Sequence, residues 1–326
     1  MSGPAAGAAA GGAWRRWGWL LPPFAVGAFL RLFRLGPQLL LYDELHAPRT
    51  AIQLDLPEIL TSYLPSDNSI PLTALFELVA GWGVEPTELH LRLPSILAGL
   101  LALVAVPVAA ARRLGTPTGR WTAWLVAVSP GLVAYSRIAR SYMPVALLGF
   151  VAVMAFERWW RTGRARAAAG YVVCGGLAVW LHLVAAPFVA APLAWSGAAR
   201  LRALASRRGE GRSLAAIALV GIALAAALAA FLLPAWDSFA ALLADKSGSE
   251  RPAWDALPHL LMLQAGAVRP WAAVLFWGLA AVGLATLFAR RPGFAALTVA
   301  PPAVNLAALL VAAPVGIAVP LILNRY

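Results

Sequence analysis

Charge is scarce in this chain of 326 residues: 12% of positions are charged, and only 14 are Asp or Glu. Cysteine is rarer still. The one thiol, Cys174, lies inside an apolar run, which excludes an intramolecular disulfide and a cysteine metal cluster and leaves packing as its role. The motifs G-x-x-x-x-G-K-S/T, G-x-G-x-x-G and H-E-x-x-H are all missing, so nothing supports nucleotide hydrolysis. What the chain has instead is apolar residues, 61% of the total, with a mean hydropathy of +0.75. That composition argues against a water-soluble core and for a multi-spanning membrane protein. A net charge of +12 would suit nucleic acid, but no basic stripe interleaves with aromatics on a soluble domain. The arginines fall in short clusters between apolar segments.

The first residues, "MSGPAAGAAAGGA", are Gly/Ala-rich without periodicity, and a disordered cytoplasmic lead-in is expected over 1–16. "WRRWGWLLPPFAVGAFLRLFRLG" then has the basic flank of a signal peptide but no small-residue cleavage site, and runs on into Arg31 and Arg34. It reads as an uncleaved first span of a polytopic domain over 17–326. A span needs about 20 mainly apolar residues. The expectation is an all-α bundle of about nine spans: Trp17 to Leu35, Leu91 to Ala111, Trp121 to Tyr135, Tyr142 to Phe156, Ala167 to His182, Val184 to Leu201, Leu214 to Leu233, Trp271 to Phe288 and Phe294 to Ala313. "IPLTALFELVAG" is too short and carries Glu77, so an interfacial helix is expected there.

Threading these spans from an inside N-terminus tests the reading, because Lys and Arg should gather in the short cytoplasmic loops. Inside fall 16 of the 26 basic residues, among them Arg112, Arg113, Arg158, Arg161, Arg164, Arg166, Arg290 and Arg291, against two acids, Glu157 and Glu210. The other 12 acids are outside. The basic excess is thus a topology signal, with two long outer loops expected over 36–90 and 234–270; the plasma membrane is the expected location. The closing "PLILNRY" follows an apolar stretch without a terminal loop, as in a chain cut short of further spans. No internal repeat of the kind transporters show is visible.

Asp43 and Glu44, in "LLLYDELHAP", stand at the end of an apolar run. A charge at mid-bilayer costs about 2.5 to 3.5 kcal/mol, so this pair belongs at the outer interface. Partial desolvation there suits a general base; the plainer alternative is a cap on a helix starting near Leu45. Arg137 and Arg140, in "YSRIARSYMP", and Arg92, in "LHLRLPS", lie on the side that should be poor in arginine. A lipid-phosphate or carboxylate partner for at least one of them explains this, with snorkelling to headgroups as the alternative. His182, in "VWLHLVAAP", is either a structural histidine or a ligand. Asp67, in "SDNSIP", reads equally as a helix cap.

In this order the segments resemble the C-type glycosyltransferase fold, and within it the dolichyl-phosphate-mannose protein mannosyltransferases and the bacterial aminoarabinose and mannosyl transferases. "LRLFRLG" leads to "YDELHA", similar to that family's F-D-E-V-H. "DNSIPLTALFELVAGWGVEPTELHLRLPSILAGLL" resembles its D-x-H-P-P-L, aromatic-rich helix and R-L-P-S; "YSRIARSYMPVALL" resembles S-R-x-x-R-x-Y, "VWLHLVAAP" its T-H-Y, and the closing "NRY" its R-Y. The likeness covers most of residues 17 to 200. It departs at "SIPL", where Ser69 and Ile70 replace the histidine and first proline, and at "LHL".

The resemblance implies inverting transfer of a sugar from a polyprenyl-phosphate donor to a hydroxyl of a protein, lipid or glycan acceptor on the outer face. Asp43 matches the general base and Glu44 a positioning acid. Arg137, Arg140 and Arg92 match donor-phosphate ligands, with His46, Asp67, Tyr142 and His182 as acceptor or donor contacts. Some members of that fold use a divalent cation, but one adjacent acid pair gives no basis for a metal here. The rivals are a polyprenyl-lipid flippase or transporter, which predicts charges through the bilayer depth, and a sugar-polymer ligase, which needs no "DE" in the first loop.

Overall fold

The computed structural model describes residues 17–40, 42–64, 69–83, 86–205, 213–246 and 257–312; the expected lead-in over 1–16, Asp67 and the closing "NRY" lie outside them. Among the described residues all regular structure is helical. Within them, five helical stretches are long and apolar enough to cross a membrane: Glu88–Leu114, Tyr142–Thr162, Leu183–Leu204, Leu214–Leu242 and Pro270–Arg290. Gly18–Leu32, Ile70–Gly81 and Ala165–Leu181 are apolar but shorter.

The chain begins with α1 (Leu21–Leu32), followed by a 3₁₀ turn over Tyr42–Leu45 and three short helices, α2 (His46–Gln53), α3 (Leu56–Leu60) and α4 (Ile70–Gly81). At 12 residues α4 extends about 18 Å, well short of a bilayer core. Then comes α5 (Glu88–Leu114). Thr87 caps it: its Oγ1 accepts from the His90 N–H while the Thr87 N–H donates to His90 Nδ1 at 3.2 Å. Arg112 and Arg113 occupy its last turn, where cations suit the helix dipole. Gly115, at φ 97°, turns the chain into α6 (Thr116–Val128), which returns along α5.

One continuous span over Trp121 to Tyr135 does not form. Ser129 leaves helical geometry at ψ 117° ahead of Pro130, and a separate short helix, α7 (Pro130–Ser136), follows. The cause is local, since a residue before proline is driven out of the α region and proline has no N–H to continue the ladder.

Beyond this break come α8 (Tyr142–Thr162), α9 (Ala165–Leu181), α10 (Ala186–Ala205), α11 (Leu214–Leu232), α12 (Trp236–Lys246), α13 (Leu257–Gln264), α14 (Pro270–Arg290) and α15 (Pro292–Ala312). Gly163 ends α8 in the left-handed conformation, φ 69°, and α9 packs back along α8. Phe156, Trp159, Tyr171, Val179 and Val189 form the core between α8, α9 and α10.

Described parts of both long loops fold onto one end of this bundle. Ile59, Tyr63, Ile70 and Ala74 of the first pack with Ala235 and Leu242 of the second, and the Tyr63 N–H donates to Ser238 Oγ at 2.8 Å. A further cluster of Ala47, Leu72, Phe76, Leu91 and Ala139 ties α2 and α4 to the start of α5 and to the link between α7 and α8. That link carries Arg137 and Arg140.

Candidate functional site

Glu44 sits at the centre of this end with no exposed surface. Its Oε1 accepts from Arg92 Nε at 3.1 Å and from the Ala139 N–H at 2.6 Å, and its Oε2 accepts from Arg92 Nη2 at 3.2 Å. The rest of the Arg92 guanidinium donates to the carbonyls of Leu35 (3.4 Å), Gln38 (2.7 Å) and Leu39 (2.9 Å). All five N–H donors of this arginine therefore have partners, and it too is fully buried. Arg92 has no donor left for a phosphate. Its partner is the carboxylate alternative, and the pair staples the first loop to α5. Glu44 is likewise too enclosed to touch an acceptor; what it holds in place is the backbone next to Arg140.

Arg137 is also engaged by protein. Its Nη1 donates to the carbonyls of Leu30 (3.0 Å), Arg31 (3.3 Å) and Phe33 (2.8 Å), and its Nη2 to Gln38 Oε1 at 3.0 Å. These carbonyls are at the C-terminal end of α1, where helical partners run out, so Arg137 acts as that helix's cap. Burial, with the nearby Arg92 charge, holds its guanidinium below the ordinary arginine pKa.

Sequence reasoning missed a third buried arginine. Arg31 has no exposed surface and donates to the carbonyls of Gly27 (2.9 Å), Val126 (3.1 Å) and Ala127 (3.2 Å) and to Ser136 Oγ (3.1 Å). It thereby satisfies the end of α6 that Pro130 leaves open. The helices approach so closely here that a Cβ on Gly99 would lie 2.2 Å from Ser136 Oγ and 3.2 Å from Arg31 Nε. The available signal was the "SP" step inside an expected span.

The remaining expected residues come together. The Asp43 side chain is 30% exposed, in the 3₁₀ turn before α2. Neither acid caps α2, whose N-cap is Leu45 with no side-chain bond, so the plainer reading of this acid pair does not hold. Arg140 Nε lies 3.3 Å from Asp43 Oδ2, and its guanidinium sits 5.7 Å from the Tyr142 ring centre. His46 Nε2 is 4.0 Å from Asp43 Oδ1. The Tyr142 hydroxyl lies close to both Asp43 and Arg140, and Ser95 Oγ donates to the Arg140 carbonyl at 2.7 Å.

His182 completes the group. It lies beyond the end of α9 in extended backbone, its ring centre 5.6 Å from that of Tyr142. Burial, and secondarily the Arg140 charge, push its pKa down to about 4 against an opposing contribution from Asp43, so the imidazole is neutral at pH 7. Tyr142, His182, Phe188 and Asn305 line a groove of about 270 Å³, in which His182 Nδ1 and Asn305 Oδ1 have no hydrogen-bond partner. Among the described residues no three His, Cys, Asp or Glu side chains gather to hold a metal ion.

The arrangement is one partly exposed carboxylate facing one guanidinium, with a phenol and a neutral imidazole beside them and an apolar groove alongside. It can accept a proton and bind an anion within one side-chain length. No family model, no curated protein and no solved structure matches this chain.

Proposed function

We propose that this protein is a membrane glycosyltransferase of the C-type fold, moving a sugar from a polyprenyl-phosphate donor to an acceptor hydroxyl. The observation that carries the reading is the Asp43–Arg140 pair, 3.3 Å apart with the carboxylate open to solvent, at the end of the bundle where both long loops meet. In this reading the chain crosses the membrane nine times, α6 and α7 together making one broken crossing, with its N-terminus in the cytoplasm, and the pair faces outward.

The donor phosphate binds Arg140 and competes with Asp43 for the guanidinium, which releases the carboxylate to accept a proton. The acceptor oxygen then attacks the anomeric carbon as its proton passes to Asp43. The bond from that carbon to the phosphate oxygen breaks, and polyprenyl phosphate leaves with its charge stabilised by Arg140. The groove beside Tyr142 and His182 takes the first apolar units of the donor chain. Charged groups gathered toward the two ends of the bundle, rather than spread through the depth of the helices, favour this over a transporter.

The test is Asp43→Asn, which preserves size and hydrogen bonding but removes the proton acceptor. With the full chain, a labelled polyprenyl-phosphate sugar and a matched acceptor, turnover is expected to fall about 10²- to 10⁴-fold, equivalent to about 3 to 5 kcal/mol of barrier. Donor affinity should stay within about twofold. Undiminished turnover would reduce the pair to a structural contact.

A further inference from the structure

At the other end of the same helices lies a second polar region. From Tyr142 to Arg161 along α8 is a run of about 28 Å at 1.5 Å per residue, close to the hydrocarbon thickness of a bilayer, about 30 Å. There the end of α5, the end of α8 and the start of α9 surround a cavity of about 1190 Å³. Arg112, Arg113, Arg158, Arg161, Arg164 and Arg166 line it. The one carboxylate at hand among the described residues, Glu157, is paired by Arg113 and by Arg161, the latter at 3.1 Å. Arg112 lies 5.7 Å from the Trp17 ring centre. Among the described residues, Arg158, Arg164 and Arg166 have no carboxylate partner.

A topology signal alone would not need this convergence, since arginines anywhere in the loops serve it. Helix stability does not explain it either. Arg164 and Arg166 are at the start of α9, where the helix dipole disfavours cations. The cavity's shape adds a second constraint: next to the arginines its wall is apolar, with Val151, Met154 and Ala155. A basic rim over an apolar wall fits an amphiphile whose phosphate lies at the rim and whose chains run down the helices.

We propose that this cavity is a binding site for the phosphate of an anionic phospholipid. Under the orientation proposed above it opens to the cytoplasmic leaflet, which carries the anionic lipid. Arg158, Arg164 and Arg166 supply the charge-assisted bonds. The site depends on membrane insertion and not on any chemistry at Asp43.

Native mass spectrometry of the delipidated full chain, exchanged with phosphatidylglycerol or with phosphatidylcholine, tests it. Retention of phosphatidylglycerol is expected to exceed that of phosphatidylcholine at least tenfold. The triple variant Arg158→Gln, Arg164→Gln, Arg166→Gln should lose that preference with an unchanged melting temperature. The triple lysine replacement, which keeps the charge, should retain most of it; its losing the preference as fully as the glutamine variant would overturn a charge-based site. Equal retention of the two lipids would also overturn the proposal, as would an unaltered preference in the glutamine variant. A third arm uses inorganic phosphate: at millimolar concentration it should leave bound phosphatidylglycerol in place. Binding of inorganic phosphate without any lipid preference would show a free-anion site and overturn the lipid assignment.

Discussion

Arginine does opposite work at the two ends of this bundle. At the Asp43 end, Arg31, Arg92 and Arg137 are turned inward, each bonded to carbonyls that a helix end or loop leaves without partners. At the far end, Arg112, Arg158, Arg164 and Arg166 are exposed and set an electrostatic field rather than a local structure. The lesson is that a count of arginines per side reads orientation, but not what any one of them does. An arginine on the side that should be poor in them has to have an internal reason, and here the reasons are orphaned backbone groups and one buried carboxylate.

The sharpest way to break the comparison is to remove one inward arginine. Arg92→Met leaves Glu44 charged and unpaired in a fully buried position, which costs about 3 to 5 kcal/mol. The expected outcome is loss of the monodisperse peak in detergent size-exclusion chromatography. Adding Glu44→Gln should recover part of the stability, because a buried pair replaced as a unit costs far less than one broken.

A smaller effect is expected from pH. His182 has its pKa lowered from 6.5 to about 4 in the folded protein, so the unfolded chain takes up the proton first. Its contribution is intact above about pH 6.5 and declines as pH falls toward 4, with no further loss below. Melting temperature in detergent should drop across that window less steeply in His182→Gln than in the parent chain.

The smallest effect belongs to the far end. Arg164→Gln and Arg166→Gln remove exposed charges with no carboxylate partner among the described residues, and should shift stability by no more than about 0.5 kcal/mol. A loss comparable to that of Arg92→Met would erase the distinction between the two ends.

Much of the site was legible in the sequence. Asp43, Arg140, Tyr142 and His182 were all singled out, and the structure links them in series, Asp43 to Arg140, Arg140 to Tyr142 and Tyr142 to His182. Each stands at or beside a helix end, and α9 running back along α8 returns the chain from Tyr142 to the same end at His182. What could not be read is which arginine meets which acceptor. The bonds from Arg31 to Val126 and Ala127 join positions about 95 residues apart and exist only because α6 stops short. That stop was visible as "SP", yet the surrounding apolar run outweighed it, and one span was expected where two helices form. Arg92 was matched to a phosphate because the resemblance supplied one. The nearer anion, Glu44, was already in view.

One small ring of contacts bears on the entropy of ligand binding at this site. Asp43 and Glu44 are neighbours, as are Ala139 and Arg140. Glu44 is bonded to the Ala139 N–H at 2.6 Å, and Asp43 faces Arg140 at 3.3 Å. The first bond fixes the two backbones against each other, so the second contact can open and close without moving either chain. A ligand entering between Asp43 and Arg140 thus has only a few side-chain torsions to order, about 1 to 2 kcal/mol, whereas ordering the loop backbone would cost that much again for every residue involved. The buried rung makes the partly exposed rung a pair of rotors on a rigid mount.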